Sequence, residues 1–305
     1  MGKIYIHVSP KLLQVTLPKS LAIYKKKGKR IKRFITYIYQ IDSHSNPIQL
    51  FLNDMDTRQF VSNNFYQMIS KYEVEIIFGS NKKSGKKLLL DLLDFTPFNN
   101  ITLIFHRRIN GSIDLTHDKK INTVIFRGKH NGLFNKMPKN MQLLYLAKNH
   151  ILESKLPNVH TLVLNSQVNL YGTRIENVCF TYPYNKPVDG LNEFVSKLSI
   201  ESREFNFPLS NLPTGLKRLI ITSYVFNHEL SFLPESLEYL ELNIPSYKKN
   251  LSDLPTGLKE LVVKRINSST YTNIIIPTGL EVLRINQKYL SVIKYVPKEV
   301  QVYTI

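Results

Sequence analysis

The sequence of 305 residues has no tryptophan and a single cysteine, Cys179. One thiol excludes an internal disulfide framework and a cysteine-based zinc site, and it fits a reducing, intracellular compartment. Glycine and proline are sparse, at 12 and 15 residues, while 43% of the chain is hydrophobic, as in a folded protein. No apolar run approaches the roughly eighteen residues that a membrane span needs. The opening MGKIYIHVSPKLLQ has no long apolar stretch followed by small residues, so no secretory signal is expected.

Catalytic signatures are also missing. The eight histidines (His7, His44, His106, His117, His130, His150, His160 and His228) never pair at metal-ligand spacing. There is no Gly-x-Ser-x-Gly elbow, and Cys179 sits in a strand-like run between two apolar positions. The stretch IIFGSNKKSGKKLLLDLL has the strand-loop-helix setting of a phosphate loop, but five residues separate Gly79 from Gly85 where four are needed. Lys87 stands where a magnesium-binding hydroxyl belongs, so a solvated basic loop is expected. Asp54 and Asp56 have no nucleotide fold around them to make a metal site. The sequence thus points to a non-enzyme without cofactors.

Acidic residues are the scarcer charge, 23 against 41 Lys and Arg, for a net charge of +18. Residues 1–100 hold 16 of the cations and 7 of the acids, so the N-terminal third is about twice as charge-dense as the rest. Its densest run, KKKGKRIKR, places Lys25, Lys26, Lys27, Lys29, Arg30, Lys32 and Arg33 within nine positions. Such a run suits phosphates or another acidic partner, or a nuclear-import signal.

What the chain does have is repetition. LPTGLK occurs at Leu212 and again at Leu254, with LPESLE at Leu233 between them. Aligned on proline, the units begin at Pro213, Pro234, Pro255, Pro277 and Pro297, at steps of 21, 21, 22 and 20. After each turn comes an apolar residue, then a second after three positions and a third after two more. These are Leu216, Leu219 and Ile221 in the first copy, and Leu237, Leu240 and Leu242 in the next. Leu258, Leu261 and Val263 follow, then Leu280, Leu283 and Ile285. Weaker copies run upstream through Met141, Val159, Ile175 and Val195, back to NITLIF.

A final spacing of two and β-branched pairs such as Ile220–Ile221 and Val262–Val263 mark the short run as a strand. Proline at the second turn position and glycine at the fourth suit a type I turn. One such strand cannot bury its apolar face alone, and stacking turns the inward residues into a continuous core. About eleven units of roughly twenty residues are expected, forming a leucine-rich-repeat-like solenoid over residues 96–305 with one long parallel β-sheet.

The loop ahead of several turns begins with an aromatic residue and asparagine: Tyr184–Asn185, Phe205–Asn206 and Phe226–Asn227. Together with LPxGL and LPxSL, these pairs resemble the FNIP repeat, a relative of the leucine-rich repeat found in amoebae and in the giant DNA viruses that infect them. Asn250 and Asn273 keep the asparagine without the phenylalanine. The resemblance implies a protein-binding solenoid, joined in some members to an F-box that recruits a ubiquitin ligase. Here the Leu-Pro of LPKSLAIY is F-box-like, but its surroundings are rich in lysine and strand formers.

Residues 1–95 are expected to form a basic α+β capping module. KIYIHVS, KRFITYIYQID and EVEIIF read as strands, and TRQFVSNNFYQMISKY and KKLLLDLLDF as helices. The expected function is protein binding through the concave face of the sheet. The outward strand positions include Val163, Cys179, Ser199, Ile220 and Val262, and the expected contacts are Tyr145, Arg218, Tyr239, Glu241, Glu260, Lys264 and Arg284. The alternative is nucleic-acid binding through the lysine-rich N-terminal module. The last strand reaches Ile305, and its free edge adds the expectation of a weak homodimer. The expected location is intracellular, with the nucleus as an alternative.

Overall fold

The computed structural model describes residues 48–51, 73–78, 100–105, 115, 121–128, 137–138, 141–146, 156–249, 251, 253–267, 274–293 and 295–305. The chain forms two compact units, Met1–Pro157 and Asn158–Ile305. In the first, β1 (Ile48–Phe51), β2 (Glu73–Phe78), β3 (Asn100–Phe105), β4 (Ile121–Phe126) and β5 (Leu143–Leu146) pair in parallel, each with the next.

The second unit carries β6 (Thr161–Leu164), β7 (Asn177–Thr181), β8 (Lys197–Glu201) and β9 (Arg218–Thr222). These are followed by β10 (Tyr239–Asn243), β11 (Glu260–Arg265), β12 (Val282–Ile285) and β13 (Gln301–Thr304). All eight pair in parallel in chain order, as in a leucine-rich-repeat-like β-solenoid. The helix described in this unit is one short 3-10 segment, Gln287–Val292.

The inward residues behave as the 3-then-2 spacing requires. Leu216, Leu219, Ile221, Leu237, Leu240, Leu242, Leu258, Leu261 and Val263 have no exposed surface. In register they form two columns, one running Leu198, Leu219, Leu240, Leu261, Leu283 and the other Ile200, Ile221, Leu242, Val263, Ile285. Each buried side chain contributes about 1.5–3 kcal/mol, which is what fixes the register of such short strands.

The turn differs from the sequence expectation by one position. Leu216 N–H donates to Pro213 O at 3.1 Å, and Leu237, Leu258, Leu280 and Val300 repeat the bond to Pro234, Pro255, Pro277 and Pro297. Proline therefore opens the turn and glycine stands third in it, where sequence spacing alone had placed them second and fourth. Nor is glycine there to tolerate the exit. A Cβ on Gly257 would meet Glu235 O at 2.3 Å, and one on Gly279 would meet Thr256 O at 2.4 Å. At these two turns the preceding unit's backbone presses close, and a missing side chain admits it. At the equivalent Ser236 the hydroxyl donates to Leu216 O at 2.7 Å.

The aromatic-asparagine pairs divide their labour between inside and outside. Tyr184, Phe205, Phe226 and Tyr247 are buried and stack in sequence, with ring centroids 6.1, 5.9 and 6.2 Å apart. Phe180 caps the stack 4.2 Å from Tyr184. The asparagines point out and form a ladder between units. Asn206 N–H donates to Asn185 Oδ1, Asn227 N–H to Asn206 Oδ1, and Lys248 N–H to Asn227 Oδ1, at 3.1, 3.1 and 2.7 Å. In the fourth unit the aromatic persists as Tyr247 and Lys248 follows it, the reverse of the sequence reading that kept asparagine and lost the ring. Asn250 and Asn273 themselves lie outside the described residues.

Within residues 1–95 the described strands are β1 and β2, which pair in parallel with each other and onward to β3. EVEIIF, expected as a strand, is β2. The other expected elements of that module lie outside the described residues, as do LPKSLAIY, the loop containing Gly79, Gly85 and Lys87, and Asp54 and Asp56. Among the described residues, no helix is long and apolar enough to cross a membrane.

Candidate functional site

Because side chains alternate along a strand, every inward column has outward columns beside it. The central one in the second unit runs Val163, Cys179, Ser199, Ile220, Glu241, Val262, Arg284, Tyr303. A flanking column includes Arg218, Tyr239, Glu260, Val282 and Gln301. The central column is small or apolar from Val163 to Ile220, whereas from Glu241 onward it carries Arg284 and Tyr303, and the flanking column beside it carries Arg218, Tyr239 and Glu260.

Six of the seven expected contact residues meet over β9–β13. Arg218 lays its guanidinium over the Tyr239 ring, 3.4 Å from the centroid. Tyr239 OH donates to Glu241 Oε2 at 2.8 Å, and Lys264 Nζ donates to Glu241 Oε1 at 2.5 Å. A second chain starts at Glu260, whose Oε1 accepts from Arg284 Nε at 2.8 Å. Arg284 in turn lies 4.8 Å over the Tyr303 ring, and Tyr303 OH donates to Gln301 Oε1 at 3.0 Å. Tyr145, the seventh, is half-buried on β5 of the first unit, opposite Ile125. The run from Lys25 to Arg33 lies outside the described residues.

These contacts set the local charge states. Burial pushes the Glu241 carboxyl up, but the Lys264 ammonium, the Tyr239 hydroxyl and the Arg218 charge outweigh it and hold the group below its ordinary range. Burial, and then the bond to Glu241, push the Tyr239 hydroxyl up to about 12. The hydrogen bond that Arg284 donates to Glu260 raises the guanidinium pKa and holds the group charged. The face therefore presents fixed charges in fixed places at neutral pH.

Two features escaped the sequence. Val262, expected to point outward and be available, is 4% exposed. It stands in register between Glu241 and Arg284, and long side chains of that kind cover a neighbour with their stems. Tyr303 and Gln301 extend the network by one strand, and the alternation within EVQVYTI is the signal that could have found Tyr303 on the outward side.

Burial, and then the Glu201 carboxylate, push the Cys179 thiol up to about 12, so it stays protonated and a poor nucleophile at neutral pH. Among the described residues no three His, Cys, Asp or Glu side chains gather to hold a metal ion.

No family model matches the sequence, and no curated protein matches it. Among solved structures, one described as "The crystal structure of CroV588 a novel circular LRR protein structure" is similar, at 21% sequence identity and a TM-score of 0.48. The likeness covers 67% of this chain and 33% of that one, so the matched part spans about a third of that protein's length.

Proposed function

We propose that the chain is a non-enzymatic protein-interaction module of the FNIP type, whose partner binds the outward sheet face over β9–β13. The observation that carries this reading is the pre-arrangement of Arg218, Tyr239, Glu241, Glu260, Lys264 and Arg284 by mutual contacts on neighbouring strands. Tyrosine and arginine held rigidly lose little side-chain entropy when a partner arrives, and both are enriched among residues that dominate binding energy. The aromatic stack and asparagine ladder support the FNIP assignment, since they account for both letters of the Phe-Asn pair. The setting proposed is intracellular.

The test is capture from nuclease-treated amoebal extract by the full tagged chain and by a Y239A/R284A variant. The reading expects a discrete protein held in high salt by the parent and released by the variant. Retention of the same protein by both would move the binding site off this face, and recovery of salt-labile nucleic acid alone would overturn the reading.

A further inference from the structure

The repeat is irregular between β10 and β11. Strand pairing between β10 and β11 steps from Leu242↔Val263 to Asn243↔Arg265, leaving Lys264 as an extra, bulged residue. The bulge raises the offset between the two units from 21 residues at Leu242↔Val263 to 22 at Asn243↔Arg265, which is also the separation of Pro255 and Pro277. A bulge bends a strand and re-aims the side chains beyond it, and bulges gather next to functional sites.

Here the re-aimed chain borders a cleft of about 560 Å³ at the C-terminal ends of β10, β11 and β12. Among the described residues, three cations line it, Lys264, Arg265 and Lys288, together with the amides of Asn267 and Asn286, and no carboxylate does. Lys264 is committed to Glu241. Arg265 is exposed and has no side-chain partner among the described residues, and Lys288 is exposed with its ammonium 4.7 Å over the Tyr289 ring. A guanidinium fork and an ammonium facing the same open space leave two positive charges without a counter-ion among the described residues, at a volume within the usual range of ligand pockets.

We propose that this cleft binds the carboxylates of an acidic peptide segment, with Arg265 as the bidentate donor and Lys288 as the second charge. A nucleic acid fits less well, because a single strand is held by aromatic rings on which bases stack. Among the described residues the one ring in the cleft, Tyr289, is 2% exposed. The proposal does not rest on the sheet-face reading: the cleft shares Lys264 with the network over β9–β13, but neither Arg265 nor Lys288 belongs to it.

The test is fluorescence anisotropy of the full chain with labelled octaglutamate and octaglutamine peptides, and with a labelled oligothymidylate. The parent is expected to bind octaglutamate and not octaglutamine. An R265E/K288E variant should bind octaglutamate about tenfold more weakly or worse, as reversal of charges in contact does. A K186E/K197E variant has the same change in net charge at exposed positions elsewhere and should lose less than about threefold, through screened long-range attraction alone. The neutral R265Q/K288Q variant and circular-dichroism melts of all the variants separate loss of the site from loss of the fold. Equal losses in the two charge-reversed variants, or octaglutamate binding by R265E/K288E at parental strength, would overturn the proposal. So would oligothymidylate binding tighter than octaglutamate with the same dependence on Arg265 and Lys288.

Discussion

The two sides of β10 carry opposite kinds of information. Inward, Leu240 and Leu242 repeat what Leu219 and Ile221 do one strand earlier and Leu261 and Val263 one strand later. Outward, Glu241 has Ile220 on one side and Val262 on the other, and neither neighbour resembles it. The inner columns are alike because each residue must fill the same space between two copies of itself. The outer columns owe the fold no such uniformity, so their variation is available for recognition.

The contrast predicts unequal costs along a single strand. Leu240→Ala should destabilise the second unit by about 2–5 kcal/mol, because the rungs above and below cannot close the cavity. Glu241→Ala, one residue away, should cost no more than about 1 kcal/mol, as for a partly exposed ion pair. Urea unfolding followed by far-ultraviolet circular dichroism measures both. Near-equal costs would dissolve the distinction between the two faces.

The turns sharpen the comparison at the next level. Gly257→Ala should cost about 1–3 kcal/mol, since a carbonyl oxygen occupies the space its Cβ needs and a packed backbone must shift. Gly215→Ala, where the nearest atom is 3.5 Å from the ideal Cβ, should lie within about 0.5 kcal/mol of the parent. Two glycines in the same hexapeptide would then differ only because of what the preceding unit presses against them.

On the outer edge of the return loops, Asn206→Ala removes a side-chain acceptor and should cost about 1 kcal/mol, less than any inward truncation. Hydrogen exchange should show the effect first at the Asn227 amide, which loses its partner. No change in exchange at Asn227 would mean that the ladder is not a determinant of the loop.

Near neutral pH the smallest effects are those of pH, and they grow only toward the ends of the scale. Burial raises the hydroxyl pKa of Tyr184 and Tyr247 and, with Glu241, of Tyr239. For these acids the folded state holds the proton more tightly than the unfolded one. Their contribution is thus fully present below the unfolded value of about 10 and is lost as pH rises toward the folded values. Glu241 works the other way: its depressed carboxyl helps above the unfolded value of about 4.3, and that help fades as pH falls. Stability should therefore plateau between these limits, with tyrosinate absorbance appearing together with loss of ellipticity on the alkaline side. Tyrosinate appearing with the normal midpoint in a still-folded chain would refute the alkaline limb.

Much of the inner half of the fold was legible because the 3-then-2 spacing names inward residues without reference to neighbours. Features that exist only between units were not legible. The need for Gly257 lies in Glu235 O of the preceding unit. The asparagine ladder needs the next unit's amide, and the proline offset changes no residue in the motif. On the face, Arg218, Tyr239, Glu241, Glu260, Lys264 and Arg284 were visible as outward positions. Their pairing depends on register, and register at β11 turns on a bulge that the sequence shows only as a step of 22. The burial of Val262 follows from the same register.

The most direct test of the division between an inner scaffold and an outer recognition face is a single variant with Arg218, Tyr239, Glu241, Glu260, Lys264 and Arg284 all replaced by alanine. Its thermal melt and its capture of the partner would be measured beside those of the parent. The account predicts a cooperative melt close to the parent's and loss of the captured protein. A collapsed melt, or an intact fold that still holds the partner, would contradict it.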